Sequence, residues 1–270
     1  MRLLPISDVH LEVMRDGYQF QIPKTDADVI IFLGDIAPGL KGLRWAIEQC
    51  DRLGISGLYV PGNHEYYGQN FGTLDNALRE TAHNSSVKFL NCDEYVVGDV
   101  RFLGATLWSD FSCYGTQSKN LLFVKGALND YRKIDYVPQT SMSNGGAGRK
   151  LLPKDTLQTH LEHKAWLIDK VGEHFNGKTI LLTHHGVSRY CHHPKCSLDE
   201  ISTAFWSDIE GVFEGKVDLA LFGHTHANVN DICDAGFRVV SNQMGYRRSL
   251  RDPPECRDFS FDLLIETDDL

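Results

Sequence analysis

Five short apolar runs in this chain each stop at a cluster of residues that can bind metal or move protons. The run from Leu3 ends in Ser7-Asp8-Val9-His10, and the run 29–33 ends in Gly34-Asp35. Residues 58–60 lead into Pro61-Gly62-Asn63-His64-Glu65. Residues 179–183 end in His184-His185, and 217–222 in Gly223-His224-Thr225-His226. Continuous apolar runs this short read as strands buried on both faces. Between the second and third, residues 45–53 carry apolar side chains at helical spacing. The alternation is β-α-β, which predicts a parallel sheet with right-handed crossovers. In such sheets, ligands gather beyond the carboxyl ends of the strands, where all five clusters sit.

The rest of the pattern is less regular. Residues 95–103, with Gly98-Asp99 at their centre, predict a hairpin. From 112 to 152 the periodicity weakens, and 141–148 reads as loop or lid material. A helix is expected after Pro153 to about Phe175, and an amphipathic helix over 198–213. Residues 237–241 and 259–265 predict closing strands. With no internal repeat, low-complexity tract or linker, the expectation is one domain over 1–270, with 112–152 as an insertion within it.

Composition narrows the function. The chain has 270 residues, 42% hydrophobic and 23% charged, an ordinary globular balance. A net charge of -9 weighs against stable binding of nucleic acid. An anionic substrate would need positive charge supplied locally. No apolar run approaches the roughly 18 residues that span a bilayer. Polar Ser7 and Asp8 follow too soon for a signal peptide. Seven cysteines without a CxxC pair point to free thiols and a cytoplasmic location. Cys191 and Cys196 flank His192 and His193, but a single Cys-x4-Cys pair is a weak zinc spacing.

The five clusters offer Asp8, His10, Asp35, Asn63, His184, His224 and His226 as donors. Oxygen and imidazole nitrogen without thiolate suit manganese, iron or zinc. Seven donors exceed what one ion with an open position takes. Two ions sharing one carboxylate use them well, at a spacing of about 3.5–4 Å.

In order and identity, the blocks Asp8-x-His10, Gly34-Asp35, Gly62-Asn63-His64-Glu65, His184 and Gly223-His224-x-His226 resemble those of the calcineurin-like metallophosphoesterases. The resemblance implies a four-layer α/β/β/α sandwich of two mixed sheets flanked by helices, with a dinuclear metal site across its top. It implies that Asp8, His10 and His226 hold the first ion and Asn63, His184 and His224 the second. Asp35 bridges them, and His184 is preferred to His185. Manganese is the first expectation, with iron or zinc as alternatives. His64 is implied to be a catalytic non-ligand that contacts the phosphate and helps the leaving oxygen depart. The implied reaction is hydrolysis of a small phosphomonoester or phosphodiester. A hydroxide shared by the two ions attacks phosphorus in line.

The protein Ser/Thr phosphatase branch of this family reads G-D-x-x-D-R-G. Here Pro38 stands in place of the second Asp and no Arg follows, which points to a bacterial-type branch instead. The carboxylate that orients His64 is then open, Glu65 being one choice. Residues 241–248 resemble a segment that follows the last block in bacterial members, with Gln243 in place of proline. Asn63, His64, Tyr246 and Arg247 are therefore candidate substrate contacts. Trp108 and Phe111 read either as cleft wall or as sheet anchors, and the 191–196 loop as an overhang. The alternatives to a small-molecule phosphoesterase are a nucleotide pyrophosphatase or nuclease, and a non-catalytic protein-binding scaffold.

Overall fold

The computed structural model describes residues 1–137 and 148–270. Two mixed sheets lie face to face. In the first, β1 (Arg2–Ile6), β2 (Val29–Leu33), β3 (Ser56–Val60) and β4 (Val87–Phe89) run parallel, and β13 (Ile265–Glu266) pairs antiparallel with β1. The second has the order β11 (Asn230–Ile232), β12 (Arg238–Ser241), β10 (Leu219–Phe222), β9 (Lys178–Thr183), β6 (Val100–Ala105), β5 (Asp93–Val97). Its inner strands are parallel, and both edges are antiparallel.

The two-residue period of each strand sets the layers. In β2, Val29, Ile31 and Leu33 enter the core between the sheets, with Leu58 and Val60 of β3 and Leu182 and Leu221 opposite. Ile30 and Phe32 face the other way, onto Leu43, Trp45 and Ala46 of α1 (Lys41–Leu53) and Leu78 of α2 (Leu74–Ala82). Across the second sheet, Leu103, Leu181 and Ala220 pack on Leu167 and Val171. Those two belong to the long helix Pro153–Gly172, which follows α3 (Gln117–Ala127) and α4 (Asp130–Lys133) and is here α5. The result is helix, sheet, sheet, helix, as the resemblance implied. Each fully buried aliphatic side chain in these layers contributes roughly 1.5–3 kcal/mol.

At the carboxyl ends the two sheets are stitched together. Ser7 N–H donates to Asn242 O at 3.2 Å, and Met244 N–H donates to Ser7 O at 3.0 Å. The end of β1 is thereby fixed to the segment after β12, and the five polar clusters meet above this seam.

Several expectations are corrected. Residues 198–213 form no α-helix, only 3-10 turns at Ser202–Ala204 and Glu210–Phe213. Trp206 bridges to Gly186, and Ser207 N–H donates to Gly186 O at 3.0 Å, which holds this backbone extended. Of 259–265, only Ile265 is in a strand, because Asn242 takes the place of a ladder partner. Its side chain donates to Ser260 O at 2.7 Å and accepts from Ser260 N–H at 3.0 Å. The helix expected to reach about Phe175 stops at Gly172. Residues 112–152 contain α3, α4 and the small ribbon of β7 (Asp135–Tyr136) and β8 (Arg149–Lys150). Apart from Gly148, the loop expected at 141–148 lies outside the described residues.

Candidate active site

The site is built from backbone that ordinary side chains avoid. Asp8, His10, Asp35, His224 and His226 all have positive φ, between 49° and 74°. Non-glycine residues rarely adopt this region, and such strain clusters at functional sites. It turns each strand end back sharply, so that consecutive polar side chains point into one cleft. The glycines beside them allow close approach. A Cβ on Gly62 would lie 2.2 Å from Asp35 Oδ1, and one on Gly223 would lie 2.8 Å from Asp8 Oδ2.

Asp8, His10, Asp35, Asn63 and His184 are buried, while His64, His224 and His226 are partly open to the cleft. Asp8, His10 and His226 each bring one donor atom within 4.8 Å of the others. Asp35, His184 and His224 do the same, as do His10, Asp35 and His64. No cysteine joins these clusters among the described residues. The sequence-predicted ligands therefore converge, with Asp35 common to two of the groups.

Hydrogen bonds on the far side of each ring set the tautomers. His184 Nδ1 donates to Leu33 O at 2.7 Å, which in the neutral ring leaves Nε2 as a lone pair 3.1 Å from Asn63 Oδ1. Asn63 is oriented in turn, its Nδ2 donating to Asp130 Oδ1 at 2.8 Å. His10 Nδ1 donates to Glu12 Oε1 at 3.3 Å, and His226 Nδ1 to Glu255 Oε2 at 2.8 Å. Their Nε2 atoms then face each other at 3.1 Å. Acceptors pressed this close repel unless something positive sits among them.

The electrostatics agree. Burial opposes charge on His226, yet hydrogen bonds to Asp8 and Glu255 raise its pKa to about 10. Burial likewise opposes charge on His184, and Asp35 overrides it, raising the pKa to about 9. Burial resists ionisation of Asp35, but the surrounding histidines hold its pKa well below the usual carboxylate value. The cluster as folded draws in positive charge. Its oxygen and nitrogen donors and inward lone pairs fit a pair of metal ions.

His64 lies at the edge of this cluster. Its Nδ1 donates to Glu12 Oε1 at 2.9 Å, its ring stacks on Tyr67 at 4.1 Å, and its Nε2 is 3.9 Å from Asp35 Oδ2. Glu12, not Glu65, orients it. Glu65 is buried and accepts from Gly62 N–H, Asp35 N–H, Ile36 N–H and Tyr59 OH, at 2.7–2.9 Å. It ties the second and third strand-end loops together, and its carboxylate makes no hydrogen bond to the His64 ring.

Tyr246 stands over the cluster, its ring 4.5 Å from His10 and 4.7 Å from His226. Arg247 turns away. Its guanidinium bonds the carbonyls of Ser249, Leu250 and Asp252, and it does not line the cleft. Gln243, which replaces the expected proline, accepts from His226 N–H at 2.6 Å and donates to Ala227 O at 2.9 Å. It pins the loop that carries His226. His185 is buried between Trp108 and His224, donating to Thr106 O at 3.2 Å, which is a packing role. Trp108 and Phe111 are buried and do not line the cleft. The loop after Cys191 does overhang it through His192, His193 and Cys196.

Glu12, Tyr67, Asp130, Phe205 and Glu255 escaped sequence reasoning. Glu12 had a faint signal, two residues after His10, a ligand only in expectation. Tyr67 follows the Gly62–Glu65 block by two residues, and Asp130, Phe205 and Glu255 lie in segments without a motif.

No helix among the described residues is long and apolar enough to cross a membrane. Among known proteins, the chain is 27% identical to an uncharacterized protein of Acanthamoeba polyphaga mimivirus over 272 residues, 91% of this chain and 92% of that one. The solved structure of a phosphopantetheinyl hydrolase from Mycobacterium tuberculosis superposes with a TM-score of 0.68 at 17% identity, covering 93% of this chain and 96% of that one. At that identity the likeness shows a shared fold. The strand-end motifs are matched more directly: residues 1–228 fit the family described as calcineurin-like phosphoesterase, and the chain belongs to that family.

Proposed function

We propose that this chain hydrolyses a small phosphorylated ester with the help of two bound metal ions. One observation carries the reading. The lone pairs of His10, His226, His184 and Asn63 are aimed inward at distances of 3.1 Å, each ring or amide being locked from behind. Asp8, His10 and His226 would hold one ion, and Asn63, His184 and His224 the other, with Asp35 between them. Manganese, iron or zinc suits these donors. Bound there, the ions supply Lewis acidity to the phosphoryl group.

The chain itself does the rest. Hydrolysis forms one P–O bond to water and breaks one to the leaving alcohol, whose oxygen needs a proton. His64 would deliver it from Nε2, a reading supported by the bond that commits Nδ1–H to Glu12. Tyr67 stacked on that ring limits its rotation. Tyr246 is 45% exposed at the cleft mouth and offers a surface to the rest of the substrate.

The test combines metal analysis with hydrolysis of aryl phosphomonoesters and diesters in Mn²⁺, Zn²⁺ or Fe²⁺. Asp35→Asn and His224→Ala are expected to stay folded, to hold less metal than the parent, and to lose turnover. Full turnover in either variant, in buffers stripped of metal, refutes the assignment.

A further inference from the structure

The cleft over the histidine cluster encloses about 650 Å³ and extends past the cluster as a chamber. Leu128 and Asp130 wall it on one side, and the loop from His192 to Phe205 on the other. We propose that this chamber selects esters whose only negative charge is the scissile phosphate, the remainder being uncharged and partly flat or apolar. The proposal deepens the phosphoester hydrolase reading above and rests on it.

The first support is the charge of the lining. Outside the cluster itself it includes the carboxylates Asp130, Asp199 and Glu255, and among the described residues no Lys or Arg. Residues 138–147, outside the description, contain neither. Lys195, exposed between the wall residues His193 and Cys196, has no side-chain partner and lies outside the lining, and other cations nearby are bonded. Arg189 pairs with Asp234 at 2.7 Å, and Arg247 is bound by backbone carbonyls. Arg132 donates to Gly126 O at 2.8 Å, and the Lys133 ammonium lies 4.9 Å from the Tyr67 ring centroid, outside the lining. The two wall histidines are themselves hydrogen-bonded within the loop and to Trp206. His192 Nε2 donates to Cys196 O while its Nδ1 accepts from Trp206, and His193 Nδ1 accepts from Lys195 N–H. A second phosphate or a carboxylate asks the chain for a guanidinium or ammonium. This lining supplies neither among the described residues, and of its acids Asp130 and Glu255 are bonded to Asn63 and His226.

The second support is shape. Three aromatic rings fence the cluster: Tyr67 against His64, Phe205 stacked on His224 at 4.7 Å, and Tyr246 against His10 and His226. Leu128 and Ile201 continue the apolar surface outward. Such walls take a flat or aliphatic group by burial and discriminate little on hydrogen bonding. Polyphosphates and oligonucleotides are thereby disfavoured.

A matched pair of diesters tests the idea: p-nitrophenyl phenyl phosphate and its 4-carboxyphenyl analogue, which differ by one remote charge. With the metal-loaded protein at low salt, kcat/KM for the uncharged diester should exceed that for the carboxylate by about tenfold, and high salt should shrink the gap. Ser197→Lys, on the exposed rim, and Asp199→Asn should each narrow it about threefold or more. Calorimetry gives a readout apart from turnover: diphenyl phosphate should bind more tightly than its 4-carboxy analogue. Equal or better use of the carboxylated ester, with both diesters hydrolysed, overturns the chamber proposal and leaves the hydrolase reading intact. Hydrolysis of no phosphoester with any of the metals overturns both.

Discussion

Glu12 is the most informative residue to change. Its Oε1 accepts from His64 Nδ1 at 2.9 Å and from His10 Nδ1 at 3.3 Å, so one oxygen positions both the proposed proton donor and a proposed ligand. Burial resists its ionisation, but the two imidazole hydrogen bonds lower its pKa to about 2, so it is a carboxylate throughout the working range. Glu12→Ala removes this acceptor and both of its hydrogen bonds. A hydrogen bond to a charged partner is worth about 1.5–3 kcal/mol, and each 1.4 kcal/mol is roughly tenfold in rate. Losing the bond to His64 should therefore cost about 10–100-fold in kcat. Glu12→Gln keeps an acceptor oxygen of the same shape and should recover most of that loss. The assay is turnover at saturating metal, so that weaker holding of His10 does not intrude. It compares p-nitrophenyl esters with phenyl esters. If Glu12 acts through protonation of the leaving oxygen, the deficit must be larger for phenol, the poorer leaving group. An equal deficit for both esters, or parental turnover in Glu12→Ala, refutes this role.

Other outcomes follow from the same geometry. Gly62→Ala would force a Cβ to within 2.2 Å of Asp35 Oδ1, so it should lower bound metal and turnover together, measured by elemental analysis alongside the hydrolysis assay. Chelation should lower the melting temperature, because it removes a ligand that only the folded chain can hold. Metal at a thousandfold excess over Kd should stabilise the fold by about 4 kcal/mol, and an unchanged melting temperature would count against the site. Burial lowers the pKa of His163 to about 3, and its Nδ1 accepts from Leu107 N–H at 3.2 Å. The unfolded chain thus binds the extra proton, and stability falls as pH drops from about 6.5 toward 3, by at most about 1.4 kcal/mol per unit. Denaturant midpoints at pH 7.5 and 5.5 should show a smaller acid loss in His163→Gln than in the parent; identical losses would exclude His163 as a cause.

The parts of the fold that were legible in sequence are those with local causes. Residues 29–33 and 179–183 are apolar on both faces, so only a strand between two layers can hold them, and both are such strands. The 198–213 stretch was misread because its apolar spacing is helical, while its backbone is held by Gly186, a partner far off in sequence. Residues 259–265 went the same way, since the side chain of Asn242 satisfies the backbone at Ser260.

The same division runs through the site. Sequence alone determined which side chains gather, because each sits next to a strand end and its backbone neighbours force the turn. It also determined the chemistry of the donors. Only the tertiary structure decided what stands behind them. Glu12 reaches His64 across 52 positions, Asp130 reaches Asn63 across 67, and Glu255 reaches His226 across 29. No local pattern records such partners, because a hydrogen bond needs only one atom at the right point, and any segment brought there by the packing of the two sheets can provide it. The identity of the proposed metal ligands is thus a property of the strand ends. Their orientation, and the charge of the chamber beside them, belong to the fold as a whole.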